Sequence, residues 1–128
     1  MEKATGPQTL DLIRLIRELR SLANKEKVAL WKKTAEYLQM PTRRRRVVNL
    51  YKIEKYTKDD ETALIPGKVL SLGDFNKKIT VAAYQFSNEA KEKINKTGKA
   101  ISIQELIKKN PKGKKVRILG WWLLMEKI

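Results

Sequence analysis

Residues 41–48 of the chain read PTRRRRVV, and this stretch separates two parts of different character. Pro41 ends a helical pattern, because a proline disfavours the α conformation in the residue before it. Val47 and Val48 then begin an apolar step typical of a strand that enters a core. The sequence therefore predicts an N-terminal helical segment over residues 1–42, a mixed domain over residues 43–120 and an apolar tail over residues 121–128.

The four consecutive arginines at positions 43–46 indicate an anionic partner. A guanidinium group is permanently charged and forms paired hydrogen bonds with phosphate oxygens. The whole chain has 29 Lys and Arg against 14 Asp and Glu in 128 residues, a formal net charge of +15. No acidic run could neutralise the arginines within the chain, so a polyanion is the first hypothesis. The alternative for this run is a solvated charge cluster or a localisation signal.

The composition limits the chemistry and the class of protein. Hydrophobic residues make up 41% of the chain, which is enough for the core of one compact domain. Cysteine and histidine are both absent, which excludes disulfides, thiolate chemistry and imidazole acid–base catalysis. No stretch is long and apolar enough to span a bilayer, and the first residues lack the apolar core of a signal peptide. We therefore expect a soluble intracellular protein without a membrane partner.

Two amphipathic helices are predicted before Pro41. The first has an apolar stripe at helical spacing and ends near Asn24 and Lys25. The stripe consists of Leu12, Leu15, Ile16, Leu19, Leu22 and Ala23. The second helix spans about residues 28–40, with Val28, Trp31, Ala35 and Leu38 on one face. We expect the two to pack as a pair, with Trp31 as a core residue rather than a base-stacking one.

The part after the arginines mixes strand and helix patterns with short connections. It predicts the fold class α+β, or an irregularly alternating α/β arrangement. Pro66 and Gly67 predict a turn between two extended segments. The extended segments are predicted at residues 47–50, 62–65, 68–70, 77–84 and 116–119.

Helix boundaries in this part are indicated by capping signals. Ser87 can cap a helix over residues 88–97, and Gly98 suits the left-handed residue that follows a helix. Ser102 and Glu105 have the spacing of a capping box for a short helix that ends near Lys109. A further helical turn is predicted over residues 51–56.

Basic residues gather in two loops. One is the arginine run, and the other is the segment from Lys112 to Arg117, which includes Lys114 and Lys115. Lys68, Lys77 and Lys78 lie near predicted turns. Loops at strand ends can follow an irregular phosphate path, and such binding weakens steeply with salt. No recognition helix and no aromatic ladder is evident, which favours recognition of a folded RNA through its shape and backbone.

Catalysis is poorly supported by the sequence. The carboxylates lie mostly in polar turns or on charged faces beside lysines. The acidic turn Asp59-Asp60-Glu61 could bind a cation, but it lacks the EF-hand pattern and is interpreted as a solvated turn. The Gly113-Lys114-Lys115 segment lacks the glycine spacing of a phosphate-binding loop. We expect no enzyme activity, no metal, no cofactor and no small-molecule substrate.

The last nine residues, GWWLLMEKI, place apolar side chains where termini are normally polar. Three interpretations remain open for this tail. It could pack back onto the domain, dock on a neighbouring protein or RNA crevice, or anchor at a membrane interface. The membrane-interface interpretation is disfavoured because the apolar stretch is short and occurs only once in the sequence.

Several segments, in order over nearly the whole chain, match one known family. They are Leu12–Arg20, Trp31–Lys32, Ala35–Leu38, Pro41–Arg46, Val48–Leu50, Lys52–Ile53, Pro66–Leu70, Val81–Ala83, Phe86–Ser87, Ala90–Lys91, Asn110–Gly113 and Val116–Ile118. In these the chain resembles the archaeal and eukaryotic large-subunit ribosomal proteins usually numbered eighteen-e, relatives of bacterial large-subunit ribosomal protein fifteen. The family pattern tends to end near Gly120, so the resemblance does not cover the tail.

The resemblance implies a structural protein of the large ribosomal subunit. Its partners would be large-subunit rRNA and neighbouring ribosomal proteins, and it would be located in the cytoplasmic ribosome. Its fold would be a helical segment followed by a strand-strand-helix superhelix. By position, the RNA-facing role falls on Arg43, Arg44, Arg45, Arg46, Asn49, Lys68, Lys112, Lys114, Lys115 and Arg117. The runner-up function is a non-ribosomal RNA-binding or RNA-chaperone module. An enzyme acting on RNA is third, disfavoured by the missing histidine and cysteine.

Overall fold

A computed structural model describes residues 10–39 and 46–119, which form five helices and a five-stranded parallel sheet. In chain order the elements are α1 (Leu10–Glu26), α2 (Ala29–Gln39), β1 (Arg46–Asn49), α3 (Leu50–Tyr56), β2 (Thr62–Leu70), β3 (Thr80–Phe86), α4 (Asn88–Thr97), β4 (Lys99–Ser102), α5 (Ile103–Lys109) and β5 (Val116–Ile118). A helix pair followed by strands and helices confirms the predicted α+β class.

Strand β2 organises the sheet. The order is β1-β2-β3-β4, with β5 also paired to β2. Because β3 occupies one edge of β2, β1 and β5 lie end to end along the other. The beginning of β2 pairs with β5 through Thr62–Leu64, and its end pairs with β1 through Gly67–Leu70. The strand that begins at the last arginine of the run therefore shares an edge of β2 with the strand that follows the second basic loop.

The predicted turn at Pro66 and Gly67 is wrong. The chain stays extended through both residues, and β2 runs without interruption from Thr62 to Leu70. Its pairing with β3 shifts register between Ile65 and Lys68. Proline has no N–H to donate to a strand ladder, so an irregularity at this point accommodates it. Two predicted strands are thus one irregular strand.

The sheet is buried on both faces. Ala63, Ile65 and Val81 pack in one core with residues of α3 and α4. Leu64 and Ala82 project into a second core with α1, α2 and α5. A parallel sheet covered on both faces has consecutive apolar residues along its strands. This explains why Val81, Ala82 and Ala83 are all buried on β3.

The N-terminal helices form a pair that shares its core with the sheet. Leu12, Leu15 and Leu19 of α1 are buried, as their spacing predicts. Trp31 of α2 is fully buried, and its indole N–H donates to the carbonyl of Pro111 at 2.8 Å. The interpretation of Trp31 as a core residue is confirmed. The same bond joins α2 to the second basic loop.

The capping predictions hold, but one glycine has a different role. Ser87 accepts from the N–H of Ala90, and Ser102 and Glu105 form the predicted capping box. Gly98 is not left-handed, since its φ is −127°. A Cβ on Gly98 would lie 2.1 Å from the carbonyl oxygen of Ile79, so close approach of two backbone segments requires glycine.

Strand β4 was missed by the sequence patterns. It occupies the four residues between the end of α4 and the capping serine of α5. Its residues 99–102 show no polar–apolar alternation long enough to indicate a strand. Pairing with β3, from Thr80 opposite Lys99 to Ala83 opposite Ser102, determines its conformation.

Candidate functional site

The arginine run leads into the edge strand β1. Arg43, Arg44 and Arg45 lie outside the described residues, and Arg46 opens β1 opposite Gly67 of β2. The next row across the sheet joins Val47, Lys68 and Gln85, which are all exposed. Residues opposite one another on neighbouring strands project to the same face. Lys68 therefore stands one strand away from the segment that carries the arginines.

Asn49 has a structural contact in addition to its predicted RNA-facing role. It is half-buried at the end of β1, and its side-chain oxygen accepts from the N–H of Leu72 at 3.3 Å. This bond connects the end of β1 to the loop after β2. The amide of Asn49 thus helps to fix the turn into α3.

The second basic loop is held in place by its non-basic residues. Asn110 donates from its side-chain nitrogen to the carbonyl of Lys114 at 2.9 Å and accepts the N–H of Lys114 at 3.2 Å. Gly113 has a φ of 68°, and a Cβ there would lie 3.0 Å from Leu30 of α2. The Asn110 bonds thus close the loop, and the bond from Trp31 to Pro111 joins it to α2.

The lysines of this loop remain accessible. Lys112 pairs with Glu26 at 3.0 Å, and Lys115 pairs with Asp60 at 3.5 Å. The side chains of Lys112 and Lys115 are 67% and 71% exposed, and Lys114 is exposed as well. Exposed ion pairs contribute little free energy. The ammonium group of Lys115 can therefore exchange the carboxylate of Asp60 for a phosphate at small cost, whereas Lys112 pairs with a carboxylate that is only 17% exposed.

Arg117 is half-exposed and is paired with a carboxylate of the same chain. Its guanidinium donates two hydrogen bonds to the carboxylate of Glu61, at 3.0 and 2.9 Å. The bond from Arg117, followed by one from the N–H of Lys58, lowers the pKa of Glu61. The carboxylate in turn raises the pKa of Arg117. This pair joins β5 to the turn before β2, so Arg117 has a structural role whatever else it contacts.

The acidic turn at residues 59–61 pairs with the protein's own cations. Asp60 forms an ion pair with Lys115, and Glu61 forms one with Arg117. Among residues 10–39 and 46–119, no group of three or more potential ligand side chains could hold a metal ion.

Lys77 and Lys78 precede β3 and differ in their surroundings. The ammonium of Lys77 donates to the carbonyl of Thr57, while Lys78 is exposed. Parallel strands begin at the same edge of a sheet. Lys78 therefore lies at the edge where Lys115 precedes β5.

Two further lysines at this edge were missed by the sequence analysis. Lys58 precedes β2, and Lys99 begins β4. The pKa of Lys109 is lowered, chiefly because the side chain of Lys99 contacts it. Positive charge is thus crowded where the strands begin. Each of these lysines lies close to a strand in the sequence. Only the order of the strands in the sheet shows that they lie at the same edge.

The structure places the predicted basic residues in two regions of one molecule. The first lies near the end of β2, where Lys68 follows Gly67, the residue opposite Arg46. The second is the amino-terminal strand edge with Lys77, Lys78, Lys112, Lys114 and Lys115. From Thr62 to Lys68, β2 spans about 20 Å at the usual rise per residue. In the described part of the chain, no helix is both long and apolar enough to cross a membrane.

Comparisons with known proteins identify what the chain is similar to. A family model described as ribosomal proteins 50S-L15 and 50S-L18e, together with a 60S counterpart, matches residues 16–102. The large ribosomal subunit protein eL18 of Sulfurisphaera tokodaii is 44% identical over 106 residues, covering 82% of this chain and 90% of the relative. That of Haloarcula marismortui is 44% identical over 105 residues, covering 82% and 90%.

A third relative extends the coverage. The large ribosomal subunit protein eL18 of Methanococcus maripaludis is 41% identical over 118 residues, which cover 91% of this chain and 96% of the relative. These relatives are named as ribosomal proteins and not as enzymes. The comparisons agree with the resemblance drawn from the sequence.

Proposed function

Because the chain belongs to the family of ribosomal proteins 50S-L15 and 50S-L18e and their 60S counterpart, we propose that it braces folded large-subunit rRNA through the phosphate backbone. Membership supports a structural role in the large ribosomal subunit rather than catalysis. The chain then works in the cytoplasmic ribosome, with neighbouring large-subunit proteins as its other partners.

The observation that carries the proposal is the exposure of lysines on a rigid loop. Lys112, Lys114 and Lys115 project from a segment that Asn110 and Trp31 fix to the body of the protein. A rigid cationic surface fits a folded RNA without losing further conformational freedom on binding. Phosphate contacts fix position and orientation but do not read sequence. This suits a protein that recognises the shape of an RNA.

The proposed contacts fall into groups with different roles. Arg43 to Arg46 and Lys68 form one phosphate-binding region. Lys77, Lys78, Lys112, Lys114 and Lys115 form the second. Asn49 and Arg117 hold the surrounding turns and strands, and contact RNA in addition.

Sedimentation tests the ribosomal assignment directly. A tagged chain, expressed in archaeal cells, should migrate with large subunits through a sucrose gradient at moderate salt. Migration as free protein, or with smaller RNAs, would instead favour a non-ribosomal RNA-binding or chaperone module. A high-salt wash should release the protein, because backbone binding depends on released counterions.

A further inference from the structure

A cationic cavity lies between the end of α3 and the start of β3. It is largely open to solvent and has a volume of about 510 Å³. It is lined by Lys55, Tyr56, Thr57, Lys58, Asp59, Lys77 and Arg117. Four of these side chains are cationic and one is acidic, so the wall carries net positive charge.

Thr57 is the unusual residue of this wall. It is 1% exposed, and its hydroxyl oxygen is a buried side-chain atom without a hydrogen-bond partner among the described residues. Thr34, the other buried threonine among the described residues, donates its hydroxyl to the carbonyl of Leu30 at 2.8 Å. Buried polar groups are nearly always paired, because leaving one unpaired costs free energy. Within the described residues, the Thr57 hydroxyl therefore lacks the partner that a buried hydroxyl normally has.

The backbone of Thr57 is already satisfied. Its N–H donates to the carbonyl of Ile53 at 3.1 Å, and its carbonyl accepts from Lys77. The hydroxyl is thus the group of this residue that remains to be paired. The bond from Lys77 also holds an ammonium group beside it.

The cations around Thr57 are only partly explained by the fold. Lys55 lies 5.1 Å from the centre of the Tyr56 ring and in the last turn of α3, where a cation complements the helix carbonyls. Arg117 is paired with Glu61. Neither contact uses the Thr57 hydroxyl. A ligand with several acceptor oxygens and negative charge would pair the hydroxyl and the ammonium groups together.

We propose that this cavity binds a phosphate group, with the Thr57 hydroxyl donating a hydrogen bond to it and Lys55, Lys58 and Lys77 supplying the positive charge. The inference rests on the proposed function, since it takes the phosphate to be a phosphodiester of the bound RNA. It adds Thr57, Lys55 and Lys58 to the contact surface.

The replacement Thr57→Val tests the hydroxyl while keeping the shape of the side chain. Affinity for a large-subunit rRNA transcript should fall roughly tenfold, as expected for a lost hydrogen bond to a charged group. The salt dependence should stay unchanged, because no charge is removed. The melting temperature should stay level or rise, since an unpaired buried hydroxyl is removed. Thr34→Val is the matched control: it should lower the melting temperature and leave affinity unchanged.

Two results would overturn the site. One is unchanged RNA affinity in Thr57→Val, and the other is a fall in its melting temperature as large as that of Thr34→Val. Either result would leave the proposed function unaffected, provided that the unmodified chain binds the transcript. Absence of binding by the unmodified chain would overturn both.

Inorganic phosphate distinguishes the source of the ligand. Titrated at constant ionic strength, it should shift the amide signals of Thr57 and Lys58 weakly and saturably, and less in Thr57→Val. The RNA transcript should displace it. Saturable phosphate binding that RNA does not displace would show a site for free phosphate and overturn the assignment to RNA.

Discussion

At the scale of single residues, the pair of Glu61 and Arg117 shows a basic residue committed to the fold. Two parallel hydrogen bonds hold a guanidinium that the sequence placed among the RNA contacts. The carboxylate is only 16% exposed, which reduces screening by water. We expect Arg117 to act on RNA chiefly by keeping β5 and its preceding loop in position.

Replacement of Glu61 by glutamine should lower the free energy of unfolding by about 1 to 2 kcal/mol at neutral pH, because the charged partner of Arg117 is removed. The pKa of Glu61 is lowered in the folded protein from its ordinary value of 4.5. Its contribution is therefore fully present above pH 4.5 and is lost as the pH falls through the lowered value. Urea denaturation from pH 7 to pH 3 measures this difference.

The exposed pair of Asp60 and Lys115 supplies the control for Glu61. Asp60→Asn should change stability by no more than a few tenths of a kcal/mol. Equal losses in the two variants, or a loss in Glu61→Gln that persists unchanged at pH 3, would contradict the structural role assigned to Glu61.

Gly98 provides a second prediction at this scale. Its φ of −127° is open to any residue, so the cost of Gly98→Ala comes from the close carbonyl of Ile79. We expect a loss of about 2 kcal/mol or more in the free energy of unfolding, since backbone must move. The exposed Lys96→Ala on the same helix should have little effect. A neutral Gly98→Ala variant would show that α4 and β3 can separate at this point.

At the scale of elements, the second basic loop depends on Asn110. Its two bonds with Lys114 close the loop without using a charged side chain. Asn110→Ala should weaken RNA binding severalfold because the lysines lose their fixed positions, while the salt dependence stays nearly unchanged. Lys114→Gln should instead reduce the salt slope by about one. A filter-binding series at several salt concentrations separates these outcomes, and unaltered affinity in Asn110→Ala would count against a preorganised loop.

Capping chemistry is local, and this is why much of the element order was predictable. Ser87 and Ser102 each accept from the backbone N–H three residues later, and Glu105 accepts from the N–H of Ser102. Pro66 and Gly67 led to a wrongly predicted turn, because the pairing of β2 with its neighbouring strands outweighs the local preference of these two residues. The sequence patterns missed strand β4 for the same reason, because its conformation depends on pairing with β3 and not on a pattern within its own four residues.

The basic part of the candidate site was also predictable, since runs of lysine and arginine are visible in sequence. Thr57 and Lys58 were not, because their importance comes from burial and from the approach of Lys77 across twenty residues. The internal pairing of Arg117 was likewise hidden, since Glu61 lies fifty-six residues away. Tertiary proximity decides which charges remain available.

At the scale of the whole molecule, the parallel sheet brings together strands that adjoin basic segments far apart in the sequence. β1, which begins at the last arginine of the run, and β5, which follows the second basic loop, both pair with β2. Cores on both faces of the sheet hold this arrangement rigid. Lys68, near the end of β2, and the lysines that precede β5 are therefore fixed relative to one another, as the proposed bracing of a folded RNA requires.

The most direct test of this account is the salt dependence of binding to a large-subunit rRNA transcript by a variant with Arg43 to Arg46 replaced by alanine. A control variant loses four exposed charges from the helix pair, at Arg14, Arg17, Lys32 and Lys33. The account predicts that loss of the arginine run weakens binding, lowers the salt slope by up to roughly four and leaves the cooperative melt intact, with a smaller loss in the control. Equal losses of affinity in the two variants, or loss of the cooperative melt in the arginine variant, would contradict it.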